Sequence, residues 1–209
     1  ADDMGLGKTL QVISLLLRLK EEDPGSDRQA LIVVPTTLIT NWMKEFEKFA
    51  PGITCSVYHG PGREPNRETD VVLTSYGMVR SDQEYLSGIT WRAVVIDEAQ
   101  NIKNPSTAQT RAVKKLKSGI RVAMSGTPVE NRLSEYWSIF DFTNRGYLGS
   151  RKKFADEFAF PIELSRDRQK LDRFLKITGP FIMRREKSDR SVISDLPDKV
   201  ENDVFAAMV

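Results

Sequence analysis

Five short strand-like runs recur along the chain with helical patterns between most of them, and this alternation restricts the possible folds more than any other feature. Ala30-Leu31-Ile32-Val33-Val34 is apolar throughout, as a strand covered on both faces must be. Thr54 to Tyr58, Asp70 to Leu73, Arg92 to Ile96 and Ile120 to Met124 are the others. Thr9 to Lys20 puts Leu10, Ile13, Leu16 and Leu17 on one helical face, and Glu21 to Gly25 ends it. Thr37 is placed to cap a helix that runs to Ala50 and stops at Pro51-Gly52. Gly60 to Glu68 is a polar loop, and Ser106 is placed to cap a helix through about Lys117. Strands separated by helices predict an α/β fold, a parallel sheet with helices on both faces.

The pattern changes after about Thr143. Residues 150 to 178 read as two amphipathic helices joined near Pro161, with Phe154 and Phe158 on one apolar face and Leu171, Phe174 and Leu175 on the other. A further strand is expected at Lys199 to Val204. This predicts a helical extension on the α/β core rather than a second core.

Composition excludes several classes. The 40% hydrophobic and 29% charged content is that of an ordinary globular domain, and no apolar run approaches the roughly 20 residues of a membrane span. Residues 1 to 10 hold a glycine loop rather than a basic-then-apolar leader, so no secretory signal is expected. One cysteine, Cys55, allows no internal disulfide, and one histidine, His59, leaves no structural zinc set. Cys55 reads as an inert small residue in a strand, His59 as a strand-end residue, and Trp42 and Trp137 as core. Net charge is only +2. From Asn101 to Ala123, however, Lys103, Arg111, Lys114, Lys115, Lys117 and Arg121 occur without an acidic residue. Such a run suits either a phosphate backbone or a solvated helix face.

Gly5-Leu6-Gly7-Lys8-Thr9 leads straight into the first helix. Glycines let backbone N–H groups curl around phosphate oxygens, and a helix N-terminus adds the positive end of its dipole. Lys8 offers a charge to the β and γ phosphates and Thr9 a hydroxyl to magnesium. The generic pattern has glycine where this chain has Asp2. A second element matches the first: Ala93-Val94-Val95-Ile96 is an apolar strand that ends in Asp97-Glu98-Ala99-Gln100. Strand ends of parallel sheets are where ligands bind. Asp97 is suited to a magnesium shell and Glu98 to orienting an attacking water.

The full set is more specific. Asp3-Met4-Gly5-Leu6-Gly7-Lys8-Thr9 is followed by Leu31-Ile32-Val33-Val34-Pro35, Asn41-Trp42, Asp97-Glu98-Ala99-Gln100, Met124-Ser125-Gly126-Thr127-Pro128 and Val129-Glu130-Asn131. With Pro180 to Lys187 and Asp195 to Lys199, this series resembles the first RecA-like lobe of the Swi2/Snf2 ATPases of helicase superfamily 2, over nearly the whole chain. The resemblance implies a RecA-like lobe at 1–145, a helical extension at 146–198 and the start of a linker or second lobe at 199–209. It also implies that the strand feeding the glycine loop and the arginine-bearing facing lobe belong to a longer protein. The isolated piece is then expected to hydrolyse ATP poorly.

The implied activity is DNA-dependent ATP hydrolysis, with translocation on double-stranded DNA and remodelling of protein–DNA complexes. The alternatives are an RNA- or DNA-acting superfamily 2 helicase and a non-hydrolysing, nucleotide-dependent DNA-binding module. The implied cofactors are ATP and Mg2+, and the implied partners are duplex DNA, the second lobe and DNA-bound proteins, without a membrane. Location would be cytoplasmic and nucleoid-associated in a bacterium or archaeon, nuclear in a eukaryote. Nucleotide contacts are expected from Asp3, Met4, Gly5, Leu6, Gly7, Lys8, Thr9, Asp97, Glu98 and Gln100, with Thr9 and Asp97 on the metal and Glu98, Asp97 and Lys8 catalytic. Matching positions on the DNA side are Thr36, Thr37, Thr74, Ser75 and Tyr76; Thr36 and Thr37 equally fit a turn and a cap. The family's usual acidic pair accounts for Asp2. Gln100 replaces a usual histidine and keeps a hydrogen-bonding side chain toward Ser125-Gly126-Thr127-Pro128. Arg184 and Arg185 read as a solvated charge run.

Overall fold

A computed structural model describes residues 2, 5–26, 28–64, 66–126 and 132–185. The strand expected at Lys199 to Val204 lies outside them, as do Thr127 to Asn131 and everything after Arg185. Five strands form one sheet in the order β2-β3-β1-β4-β5: β1 Ala30–Val34, β2 Cys55–Tyr58, β3 Val71–Ser75, β4 Thr90–Ile96 and β5 Lys117–Ala123. Every neighbouring pair is parallel, so the crossovers must run over the faces, and helices cover both. The interior strands β3, β1 and β4 carry apolar runs, as strands covered on both faces and paired on both edges must.

Side-chain alternation divides the core. Ile32 and Val34 of β1 face α1 (Lys8–Glu22) and α2 (Ile39–Phe49), where Ile13, Leu16, Trp42 and Phe46 pack. Leu31 and Val33 face the other layer. That layer comprises α3 (Tyr76–Ser81), α4 (Gln83–Gly88), α5 (Ala108–Lys115) and part of α6 (Leu133–Thr143). Each such aliphatic side chain contributes about 1.5–3 kcal/mol by burial. Truncating Ile32 to alanine at the centre of the sheet is expected to cost about 2–5 kcal/mol.

Helix α6 belongs to two cores. Phe142 packs beneath the sheet, while Tyr136, Trp137 and Phe140 join Phe154, Phe158 and Phe174 in a separate aromatic cluster. That cluster is built by α7 (Arg151–Phe154), a π turn at Ala155–Ala159, α8 (Phe160–Ser165) and α9 (Arg168–Thr178). The helical extension is therefore present, but its break falls at Arg166, which is left-handed (φ 51°), and not at Pro161. Pro161 is tolerated because it sits in the first turn of α8, just after the π turn has already re-registered the hydrogen-bond ladder. Of the expected second face only Phe174 is buried; Leu171 and Leu175 are exposed.

Two further expectations are corrected, and two short helices are added. Thr37 does not cap α2: it lies in a 3-10 turn, Thr36–Leu38, and α2 has no side-chain cap. Helix α5 is capped by Thr107, whose hydroxyl accepts the Thr110 N–H, because Ser106 is turned to the Asn104 side chain. The stretch between β3 and β4 holds α3 and α4. Ser75 caps α3, and neither helix is long enough to show a period.

Candidate active site

The glycine loop turns on two left-handed residues, Gly5 (φ 83°) and Gly7 (φ 73°). A side chain at Gly7 would have room but the wrong backbone conformation, so the constraint there is on φ. Gly7 is the N-cap of α1 and has no side chain with which to cap the first turn, the arrangement in which helix-start amides can meet an anion. The Lys8 ammonium donates to the Asp2 main-chain carbonyl at 2.6 Å. Asp2 is buried, and its carboxylate accepts the Arg185 main-chain N–H (2.8 Å), the Arg185 guanidinium (2.5 and 3.0 Å) and the Gln11 amide (3.1 Å). Burial alone would raise the Asp2 carboxyl, but the hydrogen bonds from Arg185 and Gln11 outweigh it and hold it at about 2. Arg185 is thus no solvated charge: it ties the exit of the helical extension to the loop.

At the end of β4 the Asp97 N–H still donates to Val33, and the chain then breaks from the sheet at Glu98, a non-glycine residue held at φ 51°. Such a conformation is costly and is kept where neighbours impose it. Here they do. Asp97 Oδ1 accepts the Glu98 N–H (2.9 Å), Asp97 Oδ2 accepts the Trp42 indole N–H (3.0 Å), and the Asp97 carbonyl accepts the Tyr76 hydroxyl (2.6 Å). The aspartate is gripped from both layers of the fold. Burial pushes the Asp97 carboxyl up and the Glu98 charge adds to this, against the hydrogen bonds from Trp42 and Glu98 and the nearby Lys8 charge. A relay leaves Glu98 sideways: its Oε2 accepts the Gln100 amide (2.7 Å), and Gln100 Oε1 accepts the Ser125 hydroxyl (2.9 Å). The expected link from Gln100 toward Ser125 is therefore in place.

A cavity of about 250 Å3 lies at the opposite, N-terminal ends of the strands, lined by Leu19, Gln29, Asp70 and Arg92. It is remote from these strand ends. Arg92 there donates to the Leu19 and Asp23 carbonyls and so closes the last turn of α1, a structural role.

The model of the SNF2-related domain matches residues 1–209. The chain belongs to this family. It is 46% identical over 215 residues to the putative ATP-dependent helicase/translocase YwqA of Bacillus subtilis, covering 98% of this chain and 23% of that protein. It is 40% identical over 235 residues to the TATA-binding protein-associated factor mot1 of Schizosaccharomyces pombe, covering 99% of this chain and 12% of that one. Among solved structures, the Sulfolobus solfataricus SWI2/SNF2 ATPase core in complex with dsDNA superimposes with a TM-score of 0.86 at 43% identity, over 97% of this chain and 42% of that chain. The chain thus spans less than half the length of the relatives it matches. The SNF2 lobe accounts for the parallel sheet and its flanking helices.

The SNF2 motifs converge unevenly. Gly5, Leu6, Gly7, Lys8 and Thr9 open α1, and the Lys8 charge is near enough to act on Asp97. Asp3 and Met4 lie outside the described residues, as do Thr127 and Pro128. Thr36 and Thr37 are exposed at the turn between β1 and α2. Thr74, Ser75 and Tyr76 are buried. Thr74 donates to the Tyr58 carbonyl, Ser75 caps α3 and meets His59 Nδ1 at 3.2 Å, and Tyr76 is spent on Asp97. Their side chains are committed inside the lobe because β3 is an interior strand.

The basic run is also split. Arg111, Lys115 and Lys117 are exposed. Lys114 pairs with Asp141 (2.8 Å) and lies over the Trp137 ring, Arg121 donates to the Phe142 and Leu116 carbonyls, and Lys103 faces Glu135 at 4.0 Å.

Among the described residues no group of three or more His, Cys, Asp or Glu converges as a cation cage. Oxygen donors such as the Asp97 carboxylate at the end of β4 and the Thr9 hydroxyl at the start of α1 suit magnesium, which is commonly held by one or two protein groups together with waters and phosphate oxygens. Asp97 and Thr9 would supply the protein share. Cys55, pushed up to about 12 by burial and by Asp70 and Glu47, has no such role. Among the described residues no helix is long and apolar enough to cross a membrane.

Proposed function

We propose that this chain is the ATP-binding lobe of a longer DNA-dependent ATPase that translocates on double-stranded DNA and remodels protein–DNA complexes. The observation that carries the reading is the Glu98–Gln100–Ser125 relay, set at the strand ends beside the Lys8 loop in a SNF2-related lobe. We take 1–145 as the RecA-like lobe, 146–198 as its helical extension and 199–209 as the start of the link to a facing lobe.

The chemistry is transfer of the ATP γ-phosphoryl group to water, giving ADP and phosphate. Backbone amides of Gly5 to Thr9 hold the phosphates, and Lys8 moves from the Asp2 carbonyl onto the β and γ oxygens. Mg2+, when bound, would supply charge neutralisation to the phosphates. Asp97 and Thr9 would hold it. Glu98 orients the attacking water and takes its proton, and Gln100 fixes the Glu98 carboxylate from the side. Ser125 lies at the other end of that relay, so a change beyond β5 reaches Glu98 through two hydrogen bonds. The exposed Thr36 and Thr37 are the residues best placed for a DNA backbone.

Steady-state ATP hydrolysis by the full-length protein, with and without duplex DNA, tests the reading. Duplex DNA is expected to stimulate turnover more than duplex RNA does. Glu98→Gln is expected to lower turnover by about 100-fold or more while ATP still binds. Turnover surviving that substitution would overturn the assignment. The isolated 209 residues are expected to turn over slowly, because an arginine reaching in from a facing lobe is worth about 10³–10⁵ in related enzymes.

A further inference from the structure

The three tryptophans satisfy their indole N–H groups differently. Trp91 donates to the Leu86 carbonyl and Trp137 to the Gly149 carbonyl, the ordinary solution for a buried indole. Trp42 instead donates to a carboxylate, Asp97 Oδ2, at 3.0 Å and across 55 residues of sequence. An indole N–H is a donor only, and a bond from it to an ionised oxygen is stronger than one to a carbonyl. The ring cannot follow the carboxylate if it turns. Trp42 is 1% exposed and packs against Phe46, with ring centroids 6.0 Å apart.

Among the described residues, the other Asp97 oxygen is held locally, by the N–H of the adjacent Glu98. The long-range anchor is therefore Trp42. With one oxygen fixed by α2 and the other by the next residue, the carboxylate plane is set. The Lys8 charge of the phosphate loop is near enough to act on that same carboxylate.

We propose that Trp42 is a positioning residue for the cation of the nucleotide site, acting through the Asp97 carboxylate. The proposal rests on the reading of Asp97 as the cation ligand. It places part of the control of cation affinity in α2, the helix that begins at the exposed Thr36–Leu38 turn.

The test uses the full-length protein with ADP and Mn2+, reading free Mn2+ by electron paramagnetic resonance. Trp42→Phe keeps an aromatic ring and removes the N–H. Replacement of Trp42 by benzothienylalanine keeps the bicyclic shape and removes only the N–H, so it decides the matter if the phenylalanine variant does not fold. Both are expected to bind Mn2+ about tenfold more weakly, the usual cost of losing a group that orients a metal ligand. The half-saturating Mg2+ concentration for ATP hydrolysis should rise in parallel, with KM for ATP at saturating Mg2+ unchanged. Phe46→Leu, which loosens the same packing but leaves the N–H, is expected to lower Tm and keep Mn2+ affinity.

Mn2+ affinity within twofold of wild type in the benzothienylalanine protein, with affinity lost in Asp97→Asn, would overturn this proposal alone. Retained affinity in Asp97→Asn would sink the ligand reading and this proposal with it.

Discussion

The Tyr76 hydroxyl donates to the Asp97 main-chain carbonyl at 2.6 Å and thereby holds the strained turn at Glu98 from beneath. The phenol is 4% exposed, and burial, with the Asp97 and Glu98 charges, raises it well above its ordinary value, so it stays a donor throughout the neutral range. Tyr76→Phe would leave a buried carbonyl short of its partner, which costs about 1–3 kcal/mol. Urea unfolding of this chain should show that loss, and turnover of the full-length variant should fall because the Glu98 turn is less well held. Unchanged stability would mean that the carbonyl finds another donor.

Gln100 is the single side chain between Glu98 and Ser125. Gln100→Ala removes the sideways support of Glu98 without touching the phosphate loop. The expected outcome in the full-length protein is a kcat about tenfold lower, equivalent to about 1.4 kcal/mol, with KM for ATP little changed. A rise in KM without a fall in kcat would place Gln100 in nucleotide binding instead.

Asp2 links folding to acid. Its carboxyl is held at about 2 in the folded protein against 3.8 when free. A carboxyl lowered on folding contributes stability that is complete above about pH 4 and is lost as pH falls toward 2. The full shift corresponds to about 2.4 kcal/mol. Arg185 is 38% exposed, so screening by water reduces the expected effect to about 1 kcal/mol. Unfolding measured between pH 5 and pH 2.5 should show a correspondingly shallower acid loss in Asp2→Asn than in wild type.

Lys114 lies in the basic run but is engaged inside the protein. Burial lowers its ammonium, Asp141 opposes that, and both side chains are less than a fifth exposed. Lys114→Gln is expected to destabilise the fold by about 2 kcal/mol, because it leaves the aspartate uncompensated. It should leave the salt dependence of DNA binding by the full-length protein unchanged. Lys115→Gln and Lys117→Gln, which are exposed, should each reduce the salt slope by about one if this face meets DNA.

The sheet was readable because its central strands are uninterrupted apolar runs, and the nucleotide loop because glycine spacing and a following helix are local features. Gln100 was legible through the motif it belongs to. What escaped was long-range pairing. Nothing in a single sequence marks Trp42, on an amphipathic helix like any core tryptophan, as the donor to Asp97. Nothing marks Tyr76, in what resembles a DNA-facing motif, as the support of the strand end. Arg185 sits in a charged run, and only the folded chain shows that its partner stands 183 positions away. Helix breaks were misplaced for a related reason. Pro161 is a strong local signal, but the π turn before it absorbs the defect, and the chain turns at Arg166 instead.

The Arg185–Asp2 bond closes almost the whole chain into a ring. Contacts this distant in sequence must wait until the intervening elements are in place, since the entropy of closing the loop is repaid only by a finished fold. The clamp is therefore expected to form late and to open early. The Lys8 side chain bonds the Asp2 carbonyl, so the loop is expected to share the fate of that clamp. Amide hydrogen exchange is expected to show this as an early-opening unit made of Leu6 to Thr9 and Arg185, releasing together well before the sheet.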